Sequence, residues 1–166
     1  MDFFQYNLGR WVHVMSGVLW VGLLYYFNFV QVPALKLAQA DGTAAGISRH
    51  IAPKALFYFR WAAVATWVAG ALMLGDKIDD AFLFKDRIYT PIGVGAWLGT
   101  IMAFNVWMVI WPNQKKVLGL VPATEDEKAK ARRVAFLGSR INLVLSMPMI
   151  FFMTASGGLF RAPAFL

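Results

Sequence analysis

The stretch WVHVMSGVLWVGLLYYFNFVQV, residues 11–32, decides the fold. It contains no Asp, Glu, Lys or Arg and lies between Arg10 and Pro33. At a helical rise of about 1.5 Å per residue it reaches roughly 33 Å, enough to cross a hydrocarbon core about 30 Å thick. It lacks the two-residue alternation of a barrel strand and exceeds the usual buried helix of a soluble domain. Three more such runs follow: residues 55–74, ending at Gly75 before an aspartate-rich segment; residues 91–111, between Pro91 and Pro112; and about 134–156, containing Pro148. Pro91 suits a first helical turn, where its missing N–H costs least. Pro33 and Pro112 are expected to stop their helices and Pro148 to kink its own. The expectation is an all-α integral membrane protein, a four-transmembrane-helix bundle forming one membrane domain over residues 1–166.

Composition agrees. Of 166 residues, 59% are hydrophobic, 16% aromatic and only 15% charged, with a mean hydropathy of +0.55. Soluble domains carry about 25% charged residues. The absence of cysteine excludes a disulfide framework, zinc–thiolate and iron–sulfur centres, a thiol nucleophile and attachment of a c-type haem. The formal charge of +7 reads as membrane orientation rather than nucleic-acid binding, which needs a basic face on a soluble surface. Residues 1–7 carry no basic cluster and no small-residue cleavage site follows the first run, so that run reads as a retained span rather than a signal peptide.

Basic residues set the expected sidedness. Lys36, Arg49 and Lys54 follow the first span, and Lys115, Lys116, Lys128, Lys130, Arg132 and Arg133 follow the third. The opposite side has Arg10, Lys77, Lys85, Arg87 and Arg161, diluted by Asp2, Asp76, Asp79, Asp80 and Asp86. The richer side is cytoplasmic by the positive-inside rule, which places both termini on the non-cytoplasmic side. Thr124-x-x-Glu127 reads as a capping box, so the fourth helix is expected to start in solvent ahead of residue 134. Gly95, Gly99 and Ala103 on span three, and Ala62, Thr66 and Gly70 on span two, are the small residues that let helices approach.

The informative residues are polar ones inside spans. Asn28, Arg60, Asn105, Arg140 and Asn142 come from all four helices and fall at one depth, roughly 6–9 Å to the cytoplasmic side of the centre. That predicts a polar layer. It includes two arginines and no acid, so Arg60 and Arg140 either snorkel to the headgroups or meet an anionic ligand. His13, the only histidine within a span, is either an interfacial residue bonded to a carbonyl or a ligand to the iron of haem b. His50 lies most of a membrane thickness away, which disfavours a bis-histidine haem in one subunit; Met15 and Met153 are conceivable second ligands. Asp76, Asp79 and Asp80 read as a solvated cluster, with a cation site or a dock for a basic redox protein as the minority alternative.

Several strings bear a family resemblance. RWVH at residues 10–13 with Gly17, Trp20 and Gly22, YYFNFVQVP at 25–33, FYFRW at 57–61, FNVWMVIWPNQKK at 104–116 and SRINLVLSMPMIFFM at 139–153 together resemble the N-terminal membrane region of bacterial membrane-bound urate oxidases, the urate hydroxylases of the PuuD type. The resemblance implies an inner-membrane protein tied to oxidation of urate to 5-hydroxyisourate, with electrons passing to a cytochrome c and on to the respiratory chain. This chain has no cysteine to attach such a haem, so an external cytochrome c would be a separate polypeptide. The first span is also similar, more distantly, to that of HemJ-type protoporphyrinogen oxidases, four-helix haem-b proteins in which a first-helix histidine pairs with a lysine. His13 matches; no lysine lies inside a later span.

Two functions are therefore expected to compete. One is a small subunit of the bacterial inner membrane within a redox or respiratory assembly, holding haem b or an anionic ligand through His13, Arg60, Arg140, Asn28, Asn105 and Asn142. The other is a cofactor-free structural subunit of a larger membrane complex or homo-oligomer. Anion transport fits less well, because the chain has no internal inverted repeat.

Overall fold

The structure, a computed structural model, describes residues 3–156, with side chains from Asn7 to Ala155. Four long helices carry the fold. Helix α1 consists of Phe3–Tyr25, a π turn at Tyr26–Gln31 and Val32–Ala40. Helix α2 opens with Ala44–Gly46 and a π turn at Ile47–Ile51, then runs as Ala52–Leu74. Helix α3 comprises Thr90–Asn105, a π turn at Val106–Ile110 and Trp111–Val117. Helix α4 is Glu125–Ser156. No strand occurs among the described residues, and all four helices are long and apolar enough to cross a membrane.

Two prolines expected to end helices do not. Helix α1 continues past Pro33 to Ala40, and α3 continues past Pro112 to Val117. A π turn precedes each, and the same device precedes Pro53 in α2. Val32, Ala52 and Trp111, each the residue before a proline, donate their N–H groups to the carbonyls five residues back, on Phe27, Ile47 and Val106. A proline ring collides with the carbonyl four residues before it and supplies no donor. Widening the preceding turn lets the helix pass without ending. Helix α4 keeps its α form through Pro148, with no π turn.

The turns follow local chemistry. Gly42 and Gly119 have φ of +73° and +72°, and beyond them Thr43 donates to the Ala38 carbonyl at 2.8 Å and Leu120 to the Lys115 carbonyl at 2.9 Å. Both are left-handed helix stops that occupy otherwise orphaned carbonyls. Gly75 ends α2 as expected. The capping box forms: the Thr124 N–H donates to the Glu127 carboxylate at 2.8 Å, and the Glu127 N–H to the Thr124 hydroxyl at 3.3 Å.

Helix α1 packs chiefly along α2 and α3 along α4, while the α2–α3 seam is thinner. Trp20 and Leu24 of α1, Phe59 and Ala63 of α2, Met102 and Val106 of α3 and Met149 of α4 fill the centre. The periphery is equally apolar, with Val18 64% and Val144 67% exposed. Because lipid tails are as apolar as leucine, little hydrophobic force holds these helices together. Close packing and polar contacts between helices must do so. Gly95 of the expected small-residue stripe lies against Met153 of α4, and Gly70 lies against His13.

Candidate functional site

Of the polar layer expected from all four helices, the asparagines of α1, α3 and α4 meet, mainly on helix α4. Asn105 of α3 donates through Nδ2 to the Asn142 Oδ1 at 2.7 Å and to the Gly138 carbonyl at 2.8 Å. Asn142 in turn donates to the Met102 carbonyl at 3.1 Å. Gly138 makes this approach practicable, because a Cβ there would stand 3.2 Å from the Asn105 Oδ1. From α1, Asn28 donates to its own Leu24 carbonyl and to the Ser139 hydroxyl, both at 2.8 Å. Asn28 and Asn142 are buried. The Asn28 Oδ1 has no hydrogen-bond partner among the described residues, and the same holds for the indole nitrogen of buried Trp20. Ser139 and Ser146, which donates to the Tyr25 hydroxyl at 3.2 Å, belong to this polar seam. Serine bonds its own helix so readily that its position in a span carried no signal of this role.

The arginine head groups leave the layer. The Arg60 guanidinium lies 3.8 Å from the ring centroid of Trp111 and 5.3 Å from that of Phe57. Trp111 is six residues beyond Asn105, roughly 9 Å along the helix, towards Lys115 and Lys116. Arg140 lies 5.0 Å from the Phe136 ring, one turn nearer the charged start of α4. Both cations therefore lean towards the same end of the bundle, each on an aromatic face. Neither has a carboxylate partner among the described residues.

His13 is placed elsewhere, on the α1–α2 face. Its Nδ1 is 2.8 Å from the main-chain oxygen of Thr66, which can only accept, so Nδ1 carries a proton and any lone pair of the ring is on Nε2. The Thr66 hydroxyl donates to the Ala62 carbonyl at 2.7 Å and lies 3.0 Å from the Ser16 hydroxyl on the same seam. Gly70 completes the slot: a Cβ there would come within 2.9 Å of the imidazole. A histidine whose second ring nitrogen donates to a carbonyl is oriented as metal-ligating histidines usually are.

The comparisons bear on the half of the bundle that holds Asn105, Arg140 and Asn142. Residues 80–157 match the urate oxidase N-terminal family model. The urate oxidase N-terminal-like segment covers α3 and α4, with the strings at 104–116 and 139–153, and leaves α1 with His13 outside the match. No curated protein and no solved structure matches the chain.

Among the described residues, no second ligand stands where it could share a haem with His13. His13 offers one nitrogen. His50 sits in the π turn of α2, sixteen residues before Thr66 and so roughly 24 Å along the helix. Lys77 and Lys85, at the His13 end, face Asp76, Asp80 and Asp79 at 3.7–3.8 Å. Met15 is half-exposed on the lipid side and Met153 packs on Gly95. Two open grooves on the surface, of about 300 and 420 Å³, are not lined by His13. No group of three metal-ligating residues occurs among the described residues.

Proposed function

We propose that the chain is a membrane subunit of a redox assembly related to the urate oxidases, seated in the bacterial inner membrane with both termini outside the cytoplasm, and that it acts jointly with a partner polypeptide. The observation that carries this reading is the His13 slot. An imidazole held by the Thr66 carbonyl and Gly70 has Nε2 as the one ring nitrogen left for a ligand, half of what a bis-ligated cofactor needs. The other half would come from a partner subunit or a second copy. The family match of α3 and α4 supports the redox context, and residues 1–166 hold no cysteine to which a c-type haem could be attached. The test is purification from the native membrane without dissociating partners, followed by a pyridine haemochrome spectrum and an assay of urate-dependent reduction of added cytochrome c. His13→Ala should abolish the spectrum or the activity. Loss of neither, or absence of both from the native preparation, overturns the reading.

One observation favours the competing structural role. The asparagine layer saturates most of its hydrogen bonds within the bundle, as a scaffold would. On that reading Arg60→Ala and Arg140→Ala alter assembly and change no spectrum.

A further inference from the structure

Helices α2 and α3 meet along a thin seam, bridged by bulky side chains rather than by close backbones. Trp61 stands edge-on to Trp107 with centroids 5.4 Å apart, and the Trp67 indole donates to the Thr100 hydroxyl at 2.9 Å. Between these bridges runs a groove of about 300 Å³, lined by Val64 and Trp67 from α2 and by Ala103, Phe104, Trp107 and Met108 from α3. It opens outward, since Phe104 and Met108 are both 62% exposed, so lipid is what meets it. The groove does not end blindly. Arg60 is one turn before Val64 on α2, and Trp111 is one turn after Trp107 on α3. The guanidinium resting on Trp111 therefore lies about one turn beyond that lining, at the end where Lys115 and Lys116 follow.

A face-stacked guanidinium keeps its N–H edge free, and that edge matches two phosphate oxygens. Arg60 has no acid within ion-pair distance among the described residues. An uncompensated cation at membrane depth is costly and draws an anion. The chemistry at the two ends of the crevice is thus that of one amphiphile, anionic at the head and hydrocarbon in the tail.

We propose that the α2–α3 groove is a specific site for an anionic glycerophospholipid, with its phosphate on Arg60 and one acyl chain along Val64, Ala103, Phe104 and Trp107. The indoles lining the groove supply the readout. The full chain in neutral detergent is titrated with phosphatidylglycerol or phosphatidylcholine carrying the same brominated acyl chains, which quench tryptophan on contact. Exposed indoles elsewhere, such as Trp11, respond to both lipids and cancel in the comparison. The expected result is quenching by the phosphatidylglycerol at a several-fold lower mole fraction. Arg60→Gln should erase that preference and Arg60→Lys should keep part of it. Ala103→Leu, which fills the groove and leaves the guanidinium in place, should also erase it. Circular dichroism checks that each variant stays helical; if Arg60→Gln does not, the other two decide. Equal quenching by the two lipids, or a preference that survives both Arg60→Gln and Ala103→Leu, overturns the proposal. So does a neutral long-chain quinone that displaces the brominated lipid equally well from the native chain and from Arg60→Gln.

Discussion

The His13 imidazole stands 2.8 Å from the Thr66 carbonyl, and Gly70, one turn further along α2, leaves room for the same ring. A methyl group at Gly70 would approach Cε1 to 2.9 Å and Nδ1 to 3.0 Å. The ring cannot retreat without giving up the carbonyl. Gly70→Ala should therefore lower stability by about 1–3 kcal/mol, the usual cost of overpacking. His13→Ala in the same chain should remove most of that penalty. Thermal unfolding of the two single variants and the double variant in detergent measures the coupling; purely additive effects would mean that the ring does not occupy the slot.

The Asn105–Asn142 bond at 2.7 Å joins α3 to α4. Polar contacts between membrane helices average about 0.6 kcal/mol and reach about 1.7 kcal/mol. A double-mutant cycle of Asn105→Ala and Asn142→Ala should give a coupling near the top of that range, because Asn142 is fully buried and both side chains also hold carbonyls of the facing helix. A coupling indistinguishable from zero in reversible unfolding would remove the layer as a source of α3–α4 association.

Much of this architecture was legible because membrane spans announce themselves. Uncharged length gave the four helices, and Gly75 and the Thr124–Glu127 box gave two of their boundaries. The shared depth of Asn28, Arg60, Asn105, Arg140 and Asn142 foretold the meeting of the three asparagines, since helices of alternating direction place residues of equal depth side by side, but not the turning away of the two arginines. Other features arise only from tertiary structure. Pro33 reads as a stop because a proline forbids the next α-type hydrogen bond, yet a widened turn evades that prohibition, and no local residue pattern distinguishes the two outcomes. The fate of Arg60 was open because a flexible side chain reaches several ångströms either way, and only the position of Trp111 on another helix fixes its direction. The His13 slot was half visible: the histidine stood out, but Thr66 takes part through its main chain, which any residue there would supply.

The π turn before Pro112 carries its own prediction. Trp111 donates to Val106 rather than to Trp107, so one extra residue is held in that turn and Trp111 is rotated by about 100° relative to a regular helix. Pro112→Ala restores a donor and removes the ring that forces the widening. The turn should then tighten, with slower hydrogen exchange over residues 106–112 and with Trp111 moved off Arg60, seen as a shift in its emission. Pro148→Ala is the control, because its helix has no π turn. Unchanged exchange in the Pro112 variant would assign the π turn to tertiary packing instead.

The start of α4 should respond to pH. Glu127 lies in the charged turns ahead of the apolar stretch, where the Thr124 backbone N–H, and after it the Thr124 hydroxyl, hold its carboxyl below the usual carboxylate range. A carboxyl depressed in the folded state contributes stability above its unfolded value of about 4.3, and that contribution is lost as pH falls through the folded value. The group is fully exposed, so the loss should be confined to the first turn and leave the spans intact. Backbone NMR shifts of residues 124–130 should move towards coil values as pH drops below about 4, while those of residues 139–150 stay fixed. Glu127→Gln should flatten that titration. Thr124→Ala should leave the turn frayed at neutral pH, at a cost of about 1 kcal/mol for a lost N-cap. A first turn that keeps its helical shifts at pH 3, or that frays identically in native and Glu127→Gln chains, would remove the carboxylate from the cap and leave the charged turns held by the Lys128–Glu125 pair at 2.8 Å.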